Sequence, residues 1–133
     1  MLALNRTPGK AGRLASDLGC AWAALDAGGL ARMKDYSDVS VQTTSAGRHP
    51  QEDGNPAAGY TFTGRELAYD LVYSPPDTPF LTAARLKGCR TLGGLDMLLE
   101  QAYCQFRVFT GRDYPETAKL EIRGLLREQI TGG

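Results

Sequence analysis

Between residues 68 and 101 the chain is punctuated so closely that few folds remain open to it. Residues 68–73, Ala-Tyr-Asp-Leu-Val-Tyr, alternate weakly and are rich in β-formers, and Ser74-Pro75-Pro76 stops them; this predicts a buried strand. Asp70 within it is unfavourable in a strand core unless it is paired. Thr78-Pro79 supplies an N-cap and a first-turn proline for a helix that ends at Gly88. Residues 89–92 form a short strand, and Gly93-Gly94 opens another helix. Strands alternating with helices predict an α/β fold with a parallel sheet. Tyr73 then sits at the carboxyl end of one strand and Gly94 just past the end of the next. Open α/β sheets bind ligands at that edge.

The remaining residues extend the alternation. Residues 2–4 form a strand, and Thr7 caps a helix that begins at Pro8, carries Ala11, Leu14, Ala15 and Leu18 at helical spacing, and closes at Gly19. Residues 20–25 read as a short strand, 26–33 as a weak helix or turn, and 37–43 as a strand with Val39 and Val41 alternating. Residues 45–65 form the longest structureless stretch, and loops of that length are usually functional or mobile. Leu95, Leu98, Leu99, Ala102, Phe106 and Phe109 make one apolar stripe, and a last helix from Pro115 turns Ala118, Ile122, Leu125, Leu126 and Ile130 inward. At 133 residues the chain is a single domain that buries about two-thirds of its unfolded surface. Fifteen basic and fifteen acidic residues with no basic run leave no nucleic-acid footprint. No apolar run reaches the length of a membrane span, and residues 1–5 are too short for a signal peptide. Cys20, Cys89 and Cys104 are odd in number and scattered, as expected of buried reduced thiols in a cytoplasmic protein. With one histidine and no close cysteine pair, no metal site is expected.

Three groups of residues could carry chemistry. Asn5-Arg6-Thr7 lies where a strand gives way to a helix, the place where dinucleotide folds read the adenosine ribose. Arginine and threonine offer donors suited to a 2′-phosphate, and Lys10 adds a cation on the same turn. On spacing alone, a helix cap followed by solvated charges remains the plainer reading. Thr43-Thr44-Ser45-Ala46-Gly47 follows a strand with small residues that admit a ligand closely; an ordinary turn would look the same. Tyr73 and Gln101 can each bond a carboxylate or hydroxyl, and Gln101 shares a helix face with Met97 and Gly94. A strand-end aromatic and a solvated glutamine are the plainer readings there. His49 reads as a solvated loop histidine.

Tyr69-Asp70-Leu71-Val72-Tyr73-Ser74-Pro75, Thr78-Pro79-Phe80, residues 93–102 and residues 106–111 stand in the order and spacing found in the C-terminal part of shikimate dehydrogenases, which this chain resembles. The resemblance implies a Rossmann-like parallel sheet with flanking helices. Residues 1–133 would be one partial NADP-binding domain. The N-terminal substrate domain, the first strand and the Gly-rich loop would be missing, whether by truncation or by design. It implies an oxidoreductase that reduces 3-dehydroshikimate to shikimate with NADPH in chorismate and aromatic amino-acid biosynthesis, in the cytoplasm. Asn5, Arg6, Thr7, Lys10, Thr44, Leu71, Gly94 and Met97 would bind NADP; Tyr73 and Gln101 would bind substrate. Leu71 replaces the family's commoner methionine. The catalytic acid/base residues would lie outside this chain, leaving it inactive alone. Fusion to a dehydroquinate dehydratase and a preference for quinate stay open. The alternative is a non-catalytic metabolite-binding or regulatory module derived from a shikimate-pathway enzyme.

The dinucleotide sheet order 3-2-1-4-5-6 makes residues 2–4 strand two, 39–43 strand four and 68–73 strand five. Without strand one, either strands two and four close together, or chains self-associate by pairing or swapping, or residues 1–25 detach.

Overall fold

In the computed structural model, residues 1–131 are described. Their order is β1 (Leu2–Asn5), α1 (Pro8–Leu18), β2 (Ala21–Ala24), α2 (Ala27–Arg32), a 3-10 turn (Met33–Tyr36), β3 (Val39–Gln42), β4 (Leu67–Asp70), α3 (Pro79–Leu86), β5 (Arg90–Leu92), α4 (Gly94–Thr110) and α5 (Glu116–Thr131). The expected α/β alternation holds throughout. All pairings are parallel, but they form two sheets, β1–β2 and β3–β4–β5. Direct closure of strands two and four does not occur: β1 and β3 face one cavity without pairing.

Local chemistry accounts for most element ends. Pro8 and Pro79 start their helices; Asp26 Oδ1 accepts from the Gly29 N–H (2.9 Å) and Thr78 Oγ1 from the Leu81 N–H (3.3 Å) as N-caps. The strand expected over 68–73 ends at Asp70, because Asp70 Oδ1 turns back to accept from the Val72 N–H at 2.9 Å. Tyr73 is therefore three residues past the ladder.

The core gathers Leu30, Ala57, Tyr60, Phe62, Ala68, Phe80, Leu81, Ala84 and Cys89. The long loop supplies two of its aromatics: Tyr60 meets Phe62 edge-on at 5.1 Å, and Phe62 meets Phe80 at 5.5 Å. The expected apolar stripe of α4 holds only for its first half. Leu95 and Leu99 are buried, whereas Phe109 is 84% exposed. In α5, Leu125 is exposed and Ala118, Ile122, Leu126 and Ile130 are half-buried. That helix rests on α4 through the Tyr103 hydroxyl, which donates to the Lys119 carbonyl (3.2 Å), and an Arg123–Asp96 ion pair. Cysteine burial also differs from expectation: Cys89 alone is buried, and Cys104 is exposed.

Candidate functional site

The carboxyl ends of β1 and β3 open onto a cavity of about 510 Å³ lined by Asn5, Arg6, Thr7, Lys10, Thr43, Thr44 and Ser45 among others. The turn after β1 is fixed by Asn5 Oδ1, which accepts from the Thr7 N–H at 2.8 Å. Thr7 occupies the N-cap position, yet its hydroxyl makes no cap bond. Neither Arg6 nor Lys10 forms an ion pair with any described residue. A guanidinium, an ammonium and a hydroxyl thus stand uncommitted on one turn, a donor set that suits a phosphate.

A second cavity, of about 480 Å³, shares the Thr43-Thr44-Ser45 wall and adds Arg48, His49, Leu71, Tyr73 and Ser74. The shared wall is held from beneath. Buried Gln42 donates through Nε2 to the Ala46 carbonyl (2.9 Å) and to Asp70 Oδ1 (3.3 Å), and its Oε1 accepts from the Thr44 N–H. Thr78 Oγ1 in turn donates to Asp70 Oδ2 at 2.6 Å. Asp70 is therefore fully partnered, which explains how a carboxylate is tolerated with no exposure. Burial pushes its pKa up, against the bonds from Thr78, Val72 and Gln42. His49 is largely exposed, as expected, and meets Glu52 at 3.3 Å.

Gly94 sets the position of α4. Its N–H donates to the Val72 carbonyl at 3.2 Å. A Cβ on it would lie 2.2 Å from the Leu71 carbonyl oxygen and 2.8 Å from the Val72 carbonyl carbon, so only glycine allows the helix start to lie on that backbone. Met97, one turn on, is half-buried; Gln101 is exposed and its side chain makes no hydrogen bond with described residues. The structure thus gathers Asn5, Arg6, Thr7, Lys10 and Thr44 around one cavity, and Thr44, Leu71 and Tyr73 around its neighbour, with Gly94 behind Leu71. It does not bring Gln101 to Tyr73 through any bond. Gln42 and Arg48 escaped the sequence reading. Gln42 was legible as a second polar residue in register with Asp70; Arg48 carried no signal, being one charge in a long loop.

Residues 94–118, from the tight start of α4 into α5, match the family model of the shikimate 5′-dehydrogenase C-terminal domain. A shikimate dehydrogenase (NADP(+)) from Moorella thermoacetica is 40% identical over 119 residues, covering 84% of this chain and 40% of the relative. The chain is similar to the C-terminal part of the shikimate dehydrogenases. Among solved structures, the shikimate 5-dehydrogenase of Thermus thermophilus, in complex with NADP(H) and shikimate, superposes at a TM-score of 0.78 with 29% identity over 95% of this chain and 45% of its own. Quinate dehydrogenase from Corynebacterium glutamicum, in complex with NAD, superposes at 0.74 with 29% identity over 93% and 45%. The chain thus spans less than half the length of these shikimate dehydrogenase relatives.

Proposed function

We propose that this chain is the cofactor-selecting part of an NADP-dependent shikimate dehydrogenase, which reduces 3-dehydroshikimate to shikimate. The observation that carries the reading is the uncommitted Arg6, Thr7 and Lys10 around one cavity at the carboxyl edge of β1. Arg6 and Lys10 hold the 2′-phosphate, with Thr7 as a neutral donor. NADPH, when bound, supplies the hydride that reaches the substrate carbonyl carbon. Thr44 lies on the wall that the two cavities share and Leu71 lines the second; these two, with Gly94 and Met97 at the start of α4, are assigned to the nicotinamide end of the cofactor. Tyr73 and Gln101 orient the substrate through its hydroxyl or carboxylate, a positioning role. No residue of this chain is assigned the proton transfer to the carbonyl oxygen, so the chain alone should show no turnover in an NADP absorbance assay. The three free cysteines support a reducing, cytoplasmic setting. The large exposed apolar residues along the open strand edges support self-association of the chain.

Arg6→Asp tests the reading. It replaces a phosphate partner by a like charge, and a charge-assisted hydrogen bond contributes roughly 1.5–3 kcal/mol, about one to two decades of affinity. Titration should show NADP weakened by that factor and NAD nearly unchanged. Equal weakening of both would remove Arg6 as the selector. The alternative, a metabolite-binding module without turnover, gains nothing from a 2′-phosphate site and predicts no such difference.

A further inference from the structure

The cavity around Arg6, Thr7 and Lys10 adjoins another of about 420 Å³, and the two share Arg6, Leu25 and Ser45 in their walls. The chemistry of the second wall is different. Thr7 and Lys10 are absent from it, Arg6 is its one charged lining residue, and Leu25, Ala46 and Pro56 supply apolar surface. Gln51 and Asn55 add two carboxamides. An apolar wall with a few placed polar groups suits a flat, neutral ring with a polar edge, not a second phosphate.

The long loop is folded so as to hold those carboxamides in place. The Gln51 carbonyl accepts from the Gly47 N–H at 3.1 Å and from the Gly54 N–H at 3.0 Å, and the Gln51 N–H donates to the Arg48 carbonyl at 2.7 Å. The turn is tight: a Cβ on Gly54 would lie 3.0 Å from the Gln51 carbonyl oxygen. Beneath it, Gln42 Nε2 holds the Ala46 carbonyl at 2.9 Å. Asn55 Oδ1 accepts from the Ala57 N–H at 2.9 Å, which fixes that carboxamide and leaves its Nδ2 as a donor. The Gln51 side chain makes no hydrogen bond with described residues and offers a donor and an acceptor together.

In NADP the adenine and the 2′-phosphate stand on neighbouring carbons of one ribose. With the phosphate on Arg6, Thr7 and Lys10, the base falls in an adjoining cavity that also reaches Arg6. The 420 Å³ cavity does so, and the 480 Å³ cavity does not. A carboxamide pairs with adenine through two bonds, accepting from the 6-amino group and donating to N7. Hypoxanthine carries an oxygen in place of that amino group. The same edge then presents two acceptors, and neither orientation of a carboxamide satisfies both.

We propose that Gln51 and Asn55 select adenine at the 2′-phosphate end of the cofactor. Gln51 reads the amino–N7 edge, and Asn55 Nδ2 donates to a ring nitrogen. The proposal rests on the reading of Arg6 as a phosphate holder. It adds discrimination between bases, which Arg6 and Lys10 cannot supply because both are donors only.

The test is titration of the full chain with NADP, NAD and the hypoxanthine analogue of NADP. The parent chain should bind the analogue roughly tenfold or more weakly than NADP. Gln51→Ala should bind NADP and the analogue alike and keep the preference for NADP over NAD. Asn55→Asp retains the acceptor for Ala57 and turns the free donor into an acceptor, so it should weaken NADP severalfold. Equal affinity of the parent for NADP and the analogue overturns the proposal, and so does a base preference that survives Gln51→Ala. Unchanged NADP affinity in Asn55→Asp removes Asn55 from it. A base preference without an NADP-over-NAD preference keeps the base site and removes the phosphate reading; binding of none of the three nucleotides removes both.

Discussion

At the scale of single residues, Glu66 is the most heavily bonded group. It is 1% exposed, and its carboxylate accepts from the Thr63 and Arg65 N–H groups, the Thr63 and Tyr60 hydroxyls and the Cys89 thiol. Burial alone would raise its pKa; the Thr63 amide, with Cys89 and Tyr60, outweighs burial and holds it at about 2. Its partners move the other way, as burial first and the Glu66 bond second push up the Tyr60 hydroxyl and the Cys89 thiol. A carboxyl depressed on folding stabilises the fold above its unfolded pKa, and that stability is lost as pH falls from about 4.5 toward about 2. Asp70 has the opposite sign: raised by burial, it favours folding at low pH and loses that advantage as pH climbs past its ordinary value of 3.8. Glu66→Gln should therefore cost on the order of 3 kcal/mol near neutral pH, and its urea stability should fall less steeply than the parent's between pH 5 and 2. Parallel acid profiles would show that Glu66 is not the group responsible.

Among the elements, α4 depends on a contact and α5 on propensity, and glycine substitutions separate the two. Gly94→Ala drives a methyl into the Leu71 carbonyl, and overpacking of this kind destabilises by roughly 1–3 kcal/mol. Gly124→Ala, in α5 with nothing within 4 Å of the added carbon, should stabilise by roughly 0.5–1 kcal/mol. Thermal melts of the two variants should move in opposite directions; a neutral Gly94→Ala would mean that α4 slides freely. Legibility in the sequence divides along similar lines. Pro8, Pro79 and Gly19 mark element ends because each acts locally, so the alternation and the Arg6–Thr7 turn could be read directly. The early end of β4 could not, since it depends on Asp70 bonding Val72, Thr78 and Gln42 together. Nor could the shortened stripe of α4: the 3.6-residue period places Phe109 beside Leu95, but a period cannot say where the supporting layer stops.

For the molecule as a whole, the unpaired gap between β1 and β3 divides what would be one sheet. β1, α1 and β2 pack almost wholly on each other, and β3, β4, β5 and α3 do the same; Leu4 and Leu25 link the first group to the second group's core. No ladder carries strain from one group to the other. The molecule is therefore expected to behave as two cooperative units under a single covalent backbone, which heat should melt one after the other. Calorimetry is expected to show two transitions, the unit of residues 1–25 opening first because its apolar contacts are fewer, and the calorimetric enthalpy of the whole should exceed the van't Hoff value. A single two-state transition would mean that Leu4 and Leu25 couple the units fully. An opening of residues 1–25 would carry the turn of Asn5, Arg6 and Thr7 away with the smaller unit, so the occupancy of that turn by any ligand and the melting of residues 1–25 would be one equilibrium seen from two sides.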